Sequence, residues 1–281
     1  MKINIKQVFL TLVVLLTTCC SCSDQLKEVP TTFFHPMQYE KKYKVISYNI
    51  LEGMKLDKGK NKFVEWVKNQ DPDILALQEA NHLTETQLLS LAKRYGHEKA
   101  IILKEKGYPV ALTAKADVKI NNVYRFTEGF THGFIHLEID NINYIILHLD
   151  PHSSEQRKIE IHKIFTWINR NPSKKDWIIM GDFNSSSPLD KNILGPNIDY
   201  TLHEYILDNE YVDVVKIFNS KFTQTVPTKE FMIHPKDFNR YDFIYISKSL
   251  KNKVYSSSVI YDEFTDVYSD HYPIQLEIYK Y

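Results

Sequence analysis

Short runs of β-branched, aromatic and aliphatic residues recur along this chain from residue 43 onward, and residues typical of turns separate them. Runs of this length and composition predict β-strands. The predicted strands are Tyr43–Ile50, Asp73–Leu77, Pro109–Thr113, Gly133–Ile139, Tyr144–Leu149, Trp177–Met180, Tyr241–Ile246, Val254–Tyr261 and Pro273–Tyr279. A chain with so many strands must form sheets, and each sheet must bury at least one face against another layer.

Segments with helical spacing of apolar residues alternate with some of these strands. The predicted helices are Phe63–Val67, Glu85–Tyr95 and Glu155–Ile168. The last has a ragged apolar stripe formed by Ile159, Ile161, Phe165 and Ile168. The runs Gly133–Ile139 and Tyr144–Leu149, joined through Asp140 and Asn141, indicate a hairpin. Since strands occur both in hairpins and in alternation with helices, we expect an α/β fold of two packed mixed sheets with helices outside them.

The N-terminal segment differs in composition from the rest of the chain. Lys2 and Lys6 precede the apolar run Val8–Leu16, after which small residues and cysteines follow. A transmembrane helix needs about 20 apolar residues, so this run is too short to span a bilayer. The pattern therefore indicates an export signal.

All three cysteines of the chain, Cys19, Cys20 and Cys22, lie in the cleavage zone of this signal. One interpretation is a plain secretory signal, and the other is a lipoprotein signal, in which the first mature residue is a lipid-bearing cysteine. We favour the lipoprotein signal. Cys22 is the predicted lipid acceptor because Ser21 precedes it and polar residues follow, and Cys19 and Cys20 are the alternatives. The sequence thus predicts a cell-envelope lipoprotein, lipid-anchored on the periplasmic or outer-membrane side.

The domain organisation follows from these features. Residues 1–21 form the predicted signal peptide, and the polar, proline-containing residues 22–42 form a tether. We expect residues 43–281 to fold as one domain, because no linker or repeat interrupts them. Lysine plus arginine and aspartate plus glutamate each number 35. Such a balanced chain lacks the strong positive field of duplex-DNA binders, which makes long DNA a less favoured partner without excluding nucleic acid.

Polar side chains follow several of the predicted strands, where an α/β fold usually presents functional groups. Asn49 ends the first, Glu79 follows the second, and His148 ends the fifth. Taken alone, each has an ordinary explanation. An asparagine at a strand end is usually a turn residue, a glutamate there can be solvated, and a lone histidine is more often structural than catalytic.

Two further segments carry a denser pattern. In Gly181-Asp182-Phe183-Asn184, the glycine permits a sharp turn or a close approach to a ligand. Asp182 and Asn184 are two residues apart and would face the same side of an extended chain. In Asp270-His271, the adjacent side chains point in different directions, so we expect His271 to pair with another carboxylate, for which Asp242 is the candidate.

Together and in this order, these segments resemble the endonuclease/exonuclease/phosphatase superfamily. That group includes pancreatic-type deoxyribonuclease, abasic-site endonucleases, neutral sphingomyelinases and inositol polyphosphate 5-phosphatases. The resemblance runs from Lys44 to the C-terminus. The segments are Tyr48-Asn49-Ile50, Leu77-Gln78-Glu79, Leu147-His148-Leu149, Met180-Gly181-Asp182-Phe183-Asn184, Tyr241-Asp242-Phe243-Ile244 and Ser269-Asp270-His271-Tyr272-Pro273. The resemblance implies a four-layered α/β sandwich with an active site at one edge of the sheets.

The resemblance also implies a metal site. Glu79 would be the principal Mg²⁺ ligand with Asn49 close to it, and Asp270 would lie near the same ion or a second one. Mg²⁺ usually binds proteins through one or two carboxylates and keeps several waters, so a site with few protein ligands suits it. Mn²⁺ is an alternative ion.

The catalytic roles that the resemblance implies concern five residues. Asp182 would orient or deprotonate the attacking water, and Asn184 would hold a phosphoryl oxygen. His271, oriented by Asp242, would stabilise the phosphoryl transition state or assist proton transfer, and His148 would face the phosphate from the other side. These roles supply position and positive potential, which is what phosphoryl transfer requires.

Some positions depart from the family pattern. The role of Glu52 is open, and the segment from Tyr108 only loosely resembles the corresponding family strand, so no substrate-side arginine or tyrosine is assigned there. Arg157 follows the His148 segment by a spacing seen in the family, but it is interpreted as a solvent-facing helix residue.

The sequence therefore predicts a Mg²⁺-dependent phosphoesterase, expected to be a monomer. Its substrate would be a phospholipid, sugar phosphate, nucleotide or nucleic acid. The alternatives are a non-catalytic envelope lipoprotein that binds a phosphorylated ligand on the same scaffold, and an envelope lipoprotein with a structural or adhesive role.

Overall fold

The computed structural model describes residues 41–171 and 173–280. The predicted signal, 1–21, and nearly all of the predicted tether, 22–42, lie outside the described residues and stay predictions. Within the described ranges, none of the helices is both long enough and apolar enough to cross a bilayer.

Two six-stranded sheets form the centre of the described part. The strands are β1 (Lys42–Asn49), β2 (Ile74–Gln78), β3 (Lys99–Ile102), β4 (Ala111–Ala114), β5 (Ile120–Phe126), β6 (Gly133–Ile139), β7 (Ile142–His148), β8 (Trp177–Asp182), β9 (Tyr211–Asp213), β10 (Asp242–Ser247), β11 (Val254–Val259) and β12 (Ile274–Tyr279). The first sheet has the order β11-β12-β1-β2-β4-β3 and the second β5-β6-β7-β8-β10-β9. One central pair in each sheet is parallel, β1 with β2 and β7 with β8, and the other neighbouring strands pair antiparallel.

Helices connect and cover the strands. They are α1 (Leu51–Met54), α2 (Gly59–Gln70), α3 (Glu85–Lys93), α4 (Ser154–Asn169), α5 (Lys191–Leu194), α6 (Thr201–Asp208), α7 (Val214–Phe218) and α8 (Thr265–Tyr268). Short 3₁₀ segments occur at Pro188–Asp190, Lys229–Phe231 and Lys248–Lys253. Each parallel strand pair is joined by a crossover that contains a long helix, α2 in the first sheet and α4 in the second, because parallel neighbours cannot be joined by a tight turn.

The two sheets pack face to face through one apolar cluster to which both contribute. Val45 of β1 and Ile146 of β7 belong to this cluster, whereas their neighbours Ile46 and Ile145 belong to clusters on the outer faces. Helices α2 and α3 cover the first outer face, and α4 and α6 cover the second. Because both faces of β2, β7 and β8 are buried, these strands are mostly apolar along their whole length. The four layers confirm the predicted α/β sandwich of two mixed sheets.

The hairpin of β6 and β7 forms as the sequence predicts. Ile139 pairs with Ile142, and Asp140 and Asn141 connect the strands with φ of 46° and 64°. Positive φ at both central residues matches the twist of the flanking strands, and asparagine and aspartate tolerate this conformation. The turn fixes the register that places the start of β6 beside the end of β7.

The strands β3, β5 and β9 lie outside the predicted strands. All three are edge strands. An edge strand needs fewer apolar residues than a central one, and in β5 no residue is fully buried. Helix α6 also lies outside the predictions, since only two of its apolar residues, Leu202 and Ile206, are buried.

The predicted apolar stripe of α4 is partly wrong. Ile159 is 44% exposed, whereas Ile164 is buried together with Ile161, Phe165 and Ile168. The residue next to Ile159, Glu160, is buried instead. The helix face that packs on the sheet therefore includes a carboxylate, whose partners are described below.

A buried ion cluster ties the second sheet to the loops beside it. Arg240 has no exposed side chain, and its Nε donates to Asp190 Oδ2 at 2.8 Å while its Nη1 donates to Asp213 Oδ2 at 2.5 Å. Lys216 Nζ lies 2.7 Å from Asp190 Oδ1. Because Arg240 lies just before β10, the cluster fixes the chain that leads into Asp242.

Replacing Arg240 with methionine tests this cluster. The change keeps much of the side-chain volume but leaves Asp213 buried without its cation. We expect Arg240→Met to lower the free energy of unfolding by about 3–5 kcal/mol, the usual effect of removing one partner of a buried ion pair. Urea denaturation followed by circular dichroism measures the change.

Lys248→Met is the matched control, because Lys248 forms an ion pair with Glu210 in which both side chains are exposed. Exposed pairs contribute little to stability, so no measurable change is expected. Equal unfolding midpoints for the two variants would show that burial of the Arg240 cluster has no stabilising effect.

Candidate active site

The predicted site residues lie where the parallel strand pairs of both sheets end. Asn49 ends β1 opposite Gln78 of β2, and Glu79 follows directly. His148 ends β7 opposite Asp182, the last residue of β8. Parallel strands present their carboxyl ends at one edge of a sheet, where open α/β folds place their sites. The packing of the two sheets brings these edges together.

Asn49 joins the two sheets directly. Its Nδ2 donates to Glu79 Oε1 at 3.2 Å and to Asp182 Oδ2 at 3.1 Å. Its Oδ1 accepts a hydrogen bond from the backbone N–H of Leu51 at 3.2 Å. Since both hydrogens of the amide are used, its orientation is fixed, and so is the spacing of the two carboxylates.

Asp182 lies between two imidazoles. Its Oδ2 is 3.5 Å from His148 Nε2 and 3.7 Å from His271 Nε2. Burial raises the pKa of Asp182 to about 7, and the neighbouring Asp242 adds to this shift while His271 opposes it. Burial lowers the pKa of His148 well below its usual range, and the nearby rings of His132 and His271 lower it further.

Asp242 orients His271, as the sequence predicts. Its Oδ2 lies 2.8 Å from Nδ1 of the imidazole. Burial alone lowers the pKa of His271, but the Asp242 and Asp182 carboxylates outweigh this effect and raise it well above its usual range. Nδ1 is therefore the donor to Asp242, and Nε2 is the nitrogen that lies beside Asp182.

The backbone after β8 adopts the special conformation that the glycine indicates. Gly181 has φ 140°, and a Cβ atom there would lie 1.9 Å from the carbonyl oxygen of Leu147. A side chain at this position would push β8 away from β7 and displace Asp182. Asn184 has φ 48°, so the expectation of an extended chain from Asp182 to Asn184 is wrong. A turn, closed by the Asn184 N–H on Asp182 Oδ1 at 2.8 Å, replaces it.

Glu79 and Asp270 are suited to hold a cation. Glu79 Oε2 accepts the backbone N–H of Glu52 at 2.9 Å, and burial raises the pKa of this carboxyl group. Asp270 Oδ1 is buried without a hydrogen-bond partner among the described residues. Neither carboxylate forms an ion pair within the described part of the chain. Carboxylate oxygens are ligands that Mg²⁺ prefers, so Glu79 and Asp270 fit such an ion, and Asn49 lies beside Glu79 and holds its carboxylate.

A second group, Asp182, Asp242 and His271, also has ligand atoms within 4.8 Å of one another. Its His271 and Asp242 already pair at 2.8 Å. Mg²⁺ favours oxygen over imidazole nitrogen. The Glu79 side of the site is therefore the better metal site.

One cleft of about 540 Å³ collects most of these residues. Six of the predicted site residues line it: Glu79, His148, Asp182, Asn184, Asp270 and His271. Asn49 and Asp242 lie behind them and contact Asp182 and His271. Glu52, whose role the sequence leaves open, also lines the cleft, where its Oε1 is 2.8 Å from Lys55 Nζ.

Several lining residues lie outside the predicted site: Leu51, Lys55, Tyr108, Thr131, His132, Pro151 and His152. His132 is the most deeply buried histidine among them, and its ring stacks on His148 at 4.3 Å. The predicted hairpin of Gly133–Ile139 and Tyr144–Leu149 already indicates where His132 lies. Gly133 at the start of β6 pairs with His148 at the end of β7, so the residue before Gly133 must lie near His148.

Glu160 of α4 holds two loops of the cleft. Its Oε1 accepts the N–H of Thr131 at 2.6 Å, and its Oε2 accepts the N–H of Asp150 at 3.0 Å. Thr131 Oγ1 donates to Asp150 Oδ2 at 2.6 Å, which links the two loops to each other. This network explains the buried carboxylate on the apolar face of α4. Thr131 directly precedes His132, and Asp150 lies two residues after His148. By holding Thr131 and Asp150, the network fixes the backbone near both histidines.

Arg157 is not the solvent-facing residue that the sequence predicts. It is partly buried, and its Nη1 donates to the carbonyl oxygen of Asp150 at 2.8 Å. The guanidinium thus ties α4 to the loop after β7. Its helical position could not reveal this contact, because the loop approaches α4 only in the folded chain.

Carboxylates that can hold a divalent ion, together with imidazoles and an amide that can neutralise or bind a phosphate, are the groups that phosphoryl transfer uses. The chain belongs to the endonuclease/exonuclease/phosphatase family, whose model matches residues 46–271. The match spans most of the domain predicted at 43–281.

Solved structures share the fold. An endonuclease/exonuclease/phosphatase from Bacteroides vulgatus is 17% identical with a TM-score of 0.65, covering 85% of this chain and 99% of that one. The 3′ phosphatase NExo from Neisseria, bound to a product DNA hairpin, is 15% identical with a TM-score of 0.67, covering 84% and 99%. An AP endonuclease from Archaeoglobus fulgidus is 17% identical with a TM-score of 0.61, covering 83% and 98%.

Replacing Glu160 with glutamine tests the loop network. Glutamine has one acceptor oxygen where the carboxylate has two, so either Thr131 or Asp150 loses its partner. We expect Glu160→Gln to lower the free energy of unfolding by about 1–3 kcal/mol, the cost of an unsatisfied buried group. Hydrogen exchange measured by NMR should be faster at the amides of Thr131 and Asp150.

Glu155→Gln on the same helix is the control, because that side chain is exposed. It should leave both stability and exchange unchanged. Unaltered exchange at Thr131 and Asp150 in Glu160→Gln would contradict the assigned role of the carboxylate.

Proposed function

We propose that this chain hydrolyses a phosphodiester or phosphomonoester by attack of water, assisted by Mg²⁺ or by Mn²⁺ in its place. The observation that carries the proposal is the convergence of Glu79, Asp182 and His271 on one cleft, although they are distant in sequence. Membership of a family of nucleases and phosphatases supports a phosphoesterase. The metal and the substrate are the proposed parts.

Glu79, with Asn49 and Asp270, would hold the metal ion. When bound there, the ion would neutralise charge on the phosphate and polarise its oxygen. The geometry supports this assignment because the Asn49 amide fixes the Glu79 carboxylate and because Asp270 Oδ1 has no other partner among the described residues.

Asp182 would accept a proton from the attacking water or orient it. A general base is most effective when its pKa lies near the working pH, and burial brings the pKa of Asp182 to about 7. Its Oδ2 receives the Asn49 amide and lies near both imidazoles, so the carboxylate is held in one position.

His271, His148 and Asn184 would stabilise the phosphoryl group. The pKa of His271 is raised mainly by Asp242 against the effect of burial, which favours an imidazolium that can neutralise developing negative charge. Asn184 Nδ2 donates one hydrogen bond to the carbonyl oxygen of Leu149 at 3.0 Å, and its other N–H is left for a phosphoryl oxygen.

The substrate we propose is a small or flexible phosphate ester. Among proteins of similar fold, the Neisseria 3′ phosphatase is bound to a DNA hairpin and the Archaeoglobus protein is an AP endonuclease. The balanced charge of this chain favours a phospholipid, sugar phosphate, nucleotide or short oligonucleotide over long duplex DNA. We propose that the protein acts as a monomer.

We also propose that a lipid on Cys22 anchors the protein to a membrane of the cell envelope. The support is the N-terminal sequence, where basic residues, a short apolar run and three cysteines occur in the order of a lipoprotein signal.

Loss of the Glu79 carboxylate or the His271 imidazole should abolish most of the phosphoesterase activity. We expect Glu79→Gln and His271→Ala each to lower turnover of bis-p-nitrophenyl phosphate at least ~10²-fold, the scale of general acid–base and electrostatic contributions. EDTA should remove the activity of the unmodified protein, and added Mg²⁺ should restore it.

Glu98→Gln and His162→Ala serve as controls because both side chains are exposed away from the cleft, and they should retain full turnover. If purified, folded His271→Ala protein hydrolyses the ester at the unmodified rate, the proposed catalytic site is wrong. Absence of any hydrolysis, with phosphate binding retained, would favour the non-catalytic binding alternative.

The lipid anchor is tested by Cys22→Ser in full-length protein expressed in a bacterium with a lipoprotein pathway. The unmodified protein should take up radiolabelled palmitate and partition into the detergent phase of Triton X-114. The variant should do neither, because no acyl group can be added to serine at that position. Labelling that persists in Cys22→Ser but is lost in Cys19→Ser or Cys20→Ser would move the anchor to that cysteine.

A further inference from the structure

Asp242 and His271 belong to different sheets, so their side chains meet only if the backbone that carries each of them is fixed. Asp242 begins β10 and His271 lies just before β12, yet the two side chains are 2.8 Å apart. Strand β8 pairs with β10 at Asp242 on one edge, whereas β9 covers the other edge only from Tyr245 to Ser247. The first residues of β10 therefore need a hydrogen-bond partner from outside the sheet on that edge.

Thr225 supplies this partner from the loop between α7 and β10. The residue is fully buried. Its Oγ1 accepts the backbone N–H of Tyr241 at 3.0 Å and that of Asp242 at 3.1 Å. A hydroxyl oxygen has two lone pairs, so both are used here. The hydroxyl thus fixes the backbone of the carboxylate that pairs with His271.

The same loop also holds the backbone around His271. The carbonyl oxygen of Thr225 accepts the N–H of Tyr272, the residue after His271, at 2.7 Å. Further along the loop, Thr228 donates its N–H to the carbonyl oxygen of Asp270, the residue before His271, at 3.0 Å. Residues 225–228 therefore contact the chain on both sides of His271 as well as the start of β10.

We propose that Thr225 is a positioning residue for the His271 imidazole, because it holds Asp242 with its hydroxyl and the backbone beside His271 with its carbonyl oxygen. This inference rests on the proposed phosphoesterase function and adds to it a residue outside the cleft. Thr225 is not among the residues that line the cleft, so it acts on the reaction only through the Asp242–His271 pair.

Thr225→Val tests the hydroxyl, because valine has nearly the same shape and accepts no hydrogen bond. The N–H groups of Tyr241 and Asp242 would lose their acceptor, and the start of β10 would no longer be fixed against His271. With bis-p-nitrophenyl phosphate and Mg²⁺, we expect kcat to fall by about 10-fold to 100-fold, the scale of a small misplacement of a catalytic group. KM should change little, because His271 acts on the transition state. Thr225→Ser keeps the acceptor and should restore most of kcat.

Thr113→Val is the matched control for the loss of a buried hydroxyl. Thr113 is also fully buried, and its Oγ1 lies 3.1 Å from the Tyr95 hydroxyl and 2.8 Å from His97 Nδ1, away from the residues that line the cleft. Both valine variants should have a lower thermal unfolding midpoint than the unmodified protein, because each loses buried hydrogen bonds. Below that midpoint, Thr113→Val should keep full kcat. If Thr225→Val does not fold, Thr225→Cys takes its place and should show a smaller loss of kcat, since a thiol accepts hydrogen bonds only weakly.

The His271 imidazole supplies a measurement that does not depend on turnover. Its Nδ1–H donates to Asp242, so in the unmodified protein this proton should give an NMR signal that is protected from exchange with solvent. In Thr225→Val the signal should broaden or disappear, because a pair that is no longer fixed exchanges its proton faster. Thr225→Ser and Thr113→Val should retain the signal.

The outcomes separate this inference from the proposed function. Unchanged kcat and an unchanged His271 signal in Thr225→Val would overturn the inference while the phosphoesterase assignment stands. An equal loss of kcat in Thr113→Val would also overturn it, because the effect would then come from lost stability. If the unmodified protein hydrolyses no ester, the proposed function fails. The His271 signal then decides the role of Thr225, which is overturned if the signal persists in Thr225→Val.

Discussion

The Asn49 amide couples the two sheets at the point where the site is built. One of its hydrogens is donated to Glu79, which follows a strand of the first sheet, and the other to Asp182, which ends a strand of the second. A buried amide must use its hydrogens, because an unsatisfied one would cost about 1–3 kcal/mol. The apolar cluster sets the distance between the sheets. Through the Asn49 amide, that distance also fixes the spacing of Glu79, the proposed metal ligand, and Asp182, the proposed base.

The hydrogen bond between His271 and Asp242 is a second link between the two sheets. His271 lies just before β12 of the first sheet, and Asp242 begins β10 of the second, yet their side chains meet at 2.8 Å. The imidazole thereby extends from the first sheet toward Asp182 of the second. With Asn49, this pair makes the site depend on sheet packing at two places, so a change in the apolar core that shifts one sheet would alter both distances.

The sequence predicts those parts of the site that depend on local patterns. Glu79 and Asp182 follow apolar runs, and runs of that kind end at the shared edge of a parallel pair. The partner of His271 could be predicted because Asp270, its neighbour, points elsewhere. Glu160 depends on which loops meet in space and has no local pattern that reveals it, whereas His132 could be located from the predicted hairpin, whose pairing places the residue before Gly133 beside His148. The edge strands β3, β5 and β9 escaped prediction for a related reason, since partial exposure weakens their apolar pattern.

The absence of net charge and the proposed binding of a phosphate ester are compatible because long-range and local electrostatics act over different distances. Attraction of a long polyanion depends on many cationic contacts along its length. Among the described residues that line this cleft, Lys55 is the one lysine or arginine, and it is already paired with Glu52. A single phosphate needs only a local positive potential, which the His271 imidazolium and a divalent ion would supply where solvent screens them little. Such a site would bind one phosphate group without drawing in a duplex, which supports the proposal of a small or flexible ester over long DNA.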